Sequence, residues 1–173
     1  SLVAESDSPE MRKFGSARFS MAAQNILKKN PSYYGRLCIH DQVSDTDNIT
    51  QEEFSYFVLA AVSRFEKQFV ISPKSSAMNS DLYLVSFEYQ SDPDDTMTIM
   101  QEAYDNGSHI NNKKVSYKKI SKSETVELTV LASDTSLNNI CVDGSIVELG
   151  GDRRLQVSYV GSSIHNTVLK FIA

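Results

Sequence analysis

From Lys113 to the C-terminus the chain is patterned with a period of two. Val126, Leu128 and Val130 fall on one parity and Glu127 and Thr129 on the other; Leu155, Val157 and Tyr159 repeat the pattern further on. Successive side chains of a strand point to opposite faces, so this alternation commits the segment to half-buried strands. Between Ile140-Cys141-Val142 and Ser145-Ile146-Val147 stands Asp143-Gly144. A two-residue hairpin turn needs positive φ at its centre, which Asp tolerates and Gly prefers. Gly150-Gly151-Asp152 and Gly161 turn the chain again, and residues 164–172 close as a last strand. The spacing predicts an antiparallel meander of about four to six strands.

The first half is mixed. Ser8-Pro9-Glu10 combines a capping hydroxyl, a proline suited to the first helical position and an acid at the positive end of the dipole. Met11, Gly15, Phe19, Ala22, Ala23 and Ile26 follow at helical spacing, and Pro31 ends the helix. Residues 33–43 read as a strand, with Leu37 and Ile39 on one face and Arg36, Cys38, His40 and Gln42 on the other; 44–48 is a loop. Thr50-Gln51-Glu52-Glu53 fits a capping box, flanked by Ile49 and Phe54 as a hydrophobic staple. Phe54, Phe57, Val58, Ala61, Val62, Phe65 and Phe69 then line one helical face, so a second helix is expected over 50–69. A short strand at 69–72 stops at Pro73, and 82–89, apolar on both faces, reads as a central strand. Asp92-Pro93 opens a third helix carrying Met97, Met100, Ala103 and Tyr104, with Gly107 as its C-cap; the alternative is a strand over 96–100.

The expected fold is therefore α+β: an antiparallel β-sheet with two or three helices packed on one side and a C-terminal β-meander. The composition changes near Asn111, but each half is small for an independent core. The chain reads as one domain over 8–173, mixed to about residue 110 and all-β after it, with a loose segment at 1–7.

Charge narrows function. Seventeen basic and 22 acidic residues give a net charge of −5, which disfavours a phosphate-backbone partner, so nucleic acid is not the expected ligand. No apolar run reaches the length of a membrane span. Residues 75–112 hold seven acids and no Lys or Arg, whereas 113–122 hold five lysines and no acid. Lys113, Lys114, Lys118, Lys119 and Lys122, with Tyr117 among them, form the candidate binding strip. Lysines also guard exposed sheet edges against unwanted pairing, and the strip reads first as such a protected edge strand.

No phosphate loop, dinucleotide fingerprint, nucleophile elbow or two-histidine zinc helix is present in the sequence. Asp45-Thr46-Asp47-Asn48 begins like a calcium loop but lacks the Gly and the terminal Glu that such a loop needs. The candidate catalytic pair is Cys38 and His40, on one strand face, with Asp41, Cys141, His109 or His165 as further participants in a catalytic or metal site. Two residues along a strand separates them by about 6.6 Å, too far for a direct nucleophile–base bond. No cofactor or metal is expected. Cys38 and Cys141 read as two buried free thiols acting as small hydrophobes; the alternative, a disulfide between them, would close a loop of roughly 100 residues and contribute about 4.7 kcal/mol in the chain-entropy model. That pairing, and a first residue that is not Met, lean toward a secreted or periplasmic chain.

The leading expectation is a non-enzymatic binding or assembly module acting on a protein partner or a second copy. The alternatives are an enzyme with a dispersed Cys/His site and a small-molecule carrier with an apolar cavity.

Overall fold

The computed structural model describes residues 5–15, 17–76, 78, 81–131, 138–160 and 168–172. Two helices, α1 (Pro9–Arg12) and α2 (Ala17–Lys29), lead into strands β1 (Tyr33–Asp41), β2 (Thr46–Ala60) and β3 (Leu82–Glu88). Helix α3 (Pro93–Tyr104) and a 3₁₀ turn (Ser108–Asn111) follow. The rest is β4 (Val115–Ile120), β5 (Glu124–Val130), β6 (Asn139–Val142), β7 (Ser145–Glu148), β8 (Arg154–Val160) and β9 (Val168–Ile172). Seven strands form one antiparallel sheet in the order β4-β3-β2-β1-β5-β8-β9, and β6 and β7 form a separate hairpin. The α+β class with an antiparallel sheet and a C-terminal run of strands is the observed architecture. Because β1 pairs with β5, the composition change near Asn111 falls inside one continuous sheet.

The sheet is strongly curled. Strands β3 and β8 are four places apart, about 19 Å in a flat sheet. Yet the Tyr159 hydroxyl of β8 accepts from the Leu82 amide of β3 at 3.0 Å and donates to the Ile120 carbonyl of β4 at 3.4 Å. Curling encloses a core of Leu37, Ile39, Leu82, Leu84, Ile120, Val126, Leu155 and Val157, capped by Leu149 from just beyond the β6–β7 hairpin. The opposite face carries a second core, Ala60, Val85, Phe87, Ile71 and Ile99. Ile99 comes from α3, so the helical layer covers that face. Strand β3 is buried along nearly its whole length because it serves both cores, as its two apolar faces predict.

Several local expectations are corrected. Residues 50–60 are not helical: Thr50 to Ala60 form the larger part of β2, and the proposed capping box pairs in register with β1, Thr50 opposite Leu37 and Glu53 opposite Tyr34. Strand β2 also buries apolar residues on both faces. Phe57 and Leu59 look into the curl, with the Phe54 ring edge-on to Phe57 at 5.6 Å, and Tyr56, Val58 and Ala60 look toward α3, with a bulge between Phe54 and Tyr56. An apolar block of this kind imitates a helical stripe, and its β-branched and aromatic content is satisfied by two neighbouring strands. Phe65 lies instead on a surface loop, 53% exposed.

Nor are residues 69–72 a strand; Val70, Ile71 and Ser72 form a buried loop segment, with the Val70 amide donating to the Ala103 carbonyl at 3.0 Å. The first helix is broken at Gly15, which adopts φ +55°, into α1 and α2. A residue in the left-handed region cannot continue a right-handed helix, and Gly enters it without strain. The third helix is capped at its start by Asp92, whose carboxylate accepts from the Asp94 amide at 2.9 Å, but its C-cap is Asp105 rather than Gly107.

The hairpin turn forms as read, with Asp143 at φ 48° and Gly144 at φ 83°. Of the segment expected to be loose, residues 5–7 are tied down: Ser6 is buried, Glu5 pairs with Lys29 at 3.3 Å and Asp7 with Arg12 at 2.7 Å. Residues 1–4 and 164–167 lie outside the described residues.

Candidate functional site

Strand β4 is the first strand of the sheet, so it pairs with β3 on one side and with no described strand on the other. The Glu88 amide of β3's end donates to the Lys114 carbonyl at 2.9 Å. Antiparallel pairing alternates, so the even-numbered residues of β4 turn their backbone groups toward β3, while Tyr117 and Lys119 turn theirs outward. The lysine-rich segment is thus an open edge, as the edge-guarding reading of the lysines expects.

The strip divides once its partners are known. Lys114 reaches Asp95 at 3.2 Å and also hydrogen-bonds Gln90. Lys118 pairs with Glu124 at 3.1 Å and Lys119 with Asp81 at 2.5 Å. The Asp81 contact raises the Lys119 pKa. Burial pushes the Glu124 carboxyl up, but the Ser121 amide and Lys118 outweigh it and hold it below its usual value. Among the described residues, Lys113 and Lys122 have no anionic partner, and both are exposed.

Tyr117 is not a free surface aromatic. Its ring stacks on Tyr83 with centroids 4.8 Å apart. Its hydroxyl accepts from the Lys74 amide at 3.0 Å and bonds the Ser72 hydroxyl at 2.9 Å. Ser72 in turn bonds Ser75, which donates to the Ala60 carbonyl. Tyr117 therefore fastens the buried 70–75 loop to the sheet edge, and burial raises its pKa.

At the start of β4 an open cleft of about 550 Å³ is lined by Tyr34, Glu53, Glu88, Tyr89 and residues 113–116, with Ser86 among its walls. Lys113 and Lys114 form the turn before β4, and Val115 and Ser116 open the strand on opposite faces, so a cleft bordered by both of the latter abuts the strand's backbone edge at its start. The cleft therefore joins the open edge of β4 to two tyrosines, the unpaired Lys113 and two carboxylates. Sequence reading missed Tyr34, Glu53, Glu88 and Tyr89, which belong to three separate segments. The 40% exposure of Tyr34 inside an otherwise ordered strand is the signal that only the structure supplies.

The Cys38–His40 pair lies elsewhere, on the outer face of β1. The Asp47 carboxylate of β2 sits 2.7 Å from His40 Nδ1. Burial, followed by Asp47 and Glu127, raises the Cys38 thiol pKa, the opposite of what a nucleophile needs. Cys38 and Cys141 are free thiols, as the free-thiol reading has it, but neither is fully buried: one sits mid-strand in the seven-stranded sheet and the other on the exposed hairpin. Iodoacetamide is expected to label Cys141 first and Cys38 more slowly than a free cysteine; faster labelling at Cys38 would restore the nucleophile reading. His165 lies outside the described residues. No cluster of three or more His, Cys, Asp or Glu among the described residues is placed to hold a metal ion. No helix among them is long and apolar enough to cross a membrane.

His109 is taken into the core instead. It is fully buried in the 3₁₀ turn, edge-on to Phe87 with centroids 5.8 Å apart. Its Nε2 is 3.0 Å from the Ile71 carbonyl, which only accepts, so Nε2 carries the proton and Nδ1 is left bare and without a partner. Burial lowers its pKa, against the smaller opposing pull of the Ile71 carbonyl and Glu102. A histidine that resists protonation when folded gives the unfolded chain more bound protons at mildly acidic pH. Its contribution is therefore fully present above the unfolded value near 6.5 and falls as pH drops toward the lower folded value. The His109 imidazole should show an NMR titration midpoint below that of a histidine in an unstructured peptide; a midpoint above it contradicts this reading.

No protein-family model matches the chain, and no curated protein resembles it in sequence at a significant level.

Proposed function

We propose that this protein is a non-catalytic binding module that takes an extended peptide segment of a partner protein along the open edge of β4, with side chains of that segment entering the adjoining cleft. The observation that carries the reading is the cleft bordered by Lys113 and Lys114 of the turn before β4 and by Val115 and Ser116, the first two residues of that edge strand. Strand addition obtains affinity from backbone hydrogen bonds and specificity from pockets that take alternate side chains. The outward N–H and C=O groups of Tyr117 and Lys119 supply the first. Tyr34, Tyr89 and Lys113 supply the second, and the ammonium of Lys113 favours a carboxylate on the incoming segment. The lysines also oppose pairing of β4 with β4 of a second copy, since like charges would lie across the junction. This favours a different partner over self-association.

Selection from a random linear peptide library should yield extended ligands with an acidic residue near one end. Lys113→Glu alters an exposed side chain and Tyr34→Ala one that is 40% exposed, and circular dichroism of each variant checks that the fold is kept. Each is expected to weaken a selected peptide roughly tenfold, the scale of one charge-assisted contact or one aromatic anchor. Peptides that bind both variants as tightly as the parent would place the interaction elsewhere.

A further inference from the structure

A second, smaller cavity of about 110 Å³ lies on the inner face of the curl. Its floor is Leu37, Ile39 and Leu84, each buried in the inner core, and its rim is Asn48, Thr50, Ser116 and Lys118. Four strands contribute: β1 and β3 supply the apolar floor, and β2 and β4 the polar rim. Among the described residues the side chains of Asn48 and Ser116 have no hydrogen-bond partner. Of the three donors on the Lys118 ammonium, Glu124 takes one at 3.1 Å. That carboxylate is also held from its other oxygen by the Ser121 amide at 2.7 Å, so it anchors Lys118 at the rim. A branched aliphatic floor below a few converging polar groups is the usual construction of a small-ligand site.

We propose that this cavity binds short-chain aliphatic carboxylates. The space corresponds to roughly three or four water-sized units at about 30 Å³ each, enough for a propyl or isopropyl group. The alkyl chain lies on Leu37, Ile39 and Leu84. The carboxylate remains at the rim, where it accepts from the free donors of Lys118, from the Ser116 hydroxyl and from the Asn48 amide. A charged head in this place answers the cation, and a tail longer than about four carbons meets the closed floor. The site is separate from the peptide cleft except at Ser116, which borders both.

The test is a titration of the full chain with butyrate, followed by the methyl NMR signals of Leu37, Ile39 and Leu84. Butyramide, of the same shape without charge, and octanoate, of the same charge with a longer tail, serve as comparisons. Saturable shifts are expected with butyrate, with butyramide and octanoate weaker by about tenfold or more, the scale of one charge-assisted hydrogen bond or of a misfit tail. Lys118→Met should remove the preference for butyrate over butyramide. Glu124→Gln keeps the cation, releases one of its donors and should leave the preference intact. Should Lys118→Met fail to fold, Ser116→Leu, which fills the mouth from an exposed position, should abolish the butyrate shifts. Shifts that do not saturate, equal response to butyrate and butyramide, or an unaltered preference in folded Lys118→Met would overturn the assignment. Because the readout is a small anion at the floor methyls, its failure does not touch the peptide reading, which Lys113→Glu tests separately.

Discussion

Phe87→Ala should destabilise the protein by about 3–5 kcal/mol. Phe87 is fully buried in the core beneath α3 and touches three parts of the fold at once. It lies 5.0 Å from the Tyr56 ring on β2 and edge-on to His109 in the 3₁₀ turn, and it stands opposite Val115 on β4. Truncation removes the apolar area and leaves a cavity whose walls are rigid strands on two sides, so little collapse can refill it. Natural domains are stable by about 5–15 kcal/mol, so the loss is a large share of the total. Urea denaturation is the measurement. The midpoint should fall with the slope unchanged; a loss below about 1 kcal/mol would mean that Phe87 does not join these elements.

Gly107→Ala should cost about 2–5 kcal/mol, unusually much for one methyl group. Two effects add. Gly107 sits at φ +77°, where an L side chain is strained by about 1–2 kcal/mol. An added Cβ would also lie 2.9 Å from the Val70 carbonyl oxygen and 3.1 Å from Pro73 Cγ, and overpacking adds about 1–3 kcal/mol. The obstructing atom is backbone and cannot retreat. Val70 is held by its amide to Ala103, and the next carbonyl, Ile71, is held by His109. Gly144→Ala separates the two effects, because Gly144 has φ +83° but nothing within 4 Å of the added atom. It should show the backbone strain alone, about 1–2 kcal/mol. If the two substitutions cost the same in thermal or urea unfolding, the close approach at Val70 is not real.

The 70–75 loop that these residues grip has a larger role than its sequence suggests. Tyr117 and the paired serines fasten it to β4, His109 to the 3₁₀ turn, and Val70 to the end of α3. It therefore sets the position of the edge strand on which the proposed peptide site depends. The lysine neighbours of Tyr117 do not reveal its internal contacts, because Lys74, Ser72 and Tyr83, which engage its hydroxyl and ring, come from segments more than thirty residues away.

What the sequence determined by itself was whatever one segment can decide alone. Alternation with one polar face fixed β5 and β8, Asp143-Gly144 fixed the hairpin, Asp92-Pro93 fixed the start of α3, and five lysines marked β4 as an edge. Each rests on local chemistry: a face that water must see, a φ that few residues tolerate, a cap, a charge that keeps an edge unpaired. The tertiary structure alone decided β2, because Phe54 to Ala60 is apolar on both faces and reads as helix or strand until β1 and β3 arrive to pair with it. It alone decided the curl that brings Tyr159 to Leu82, the cleft assembled from Tyr34, Glu53, Glu88 and Lys113, and the acids that take up Lys114, Lys118 and Lys119. The physical reason is the same in each case: strand pairing and sheet curvature join residues far apart in the chain, and the energy that selects them is not present in any segment until they meet.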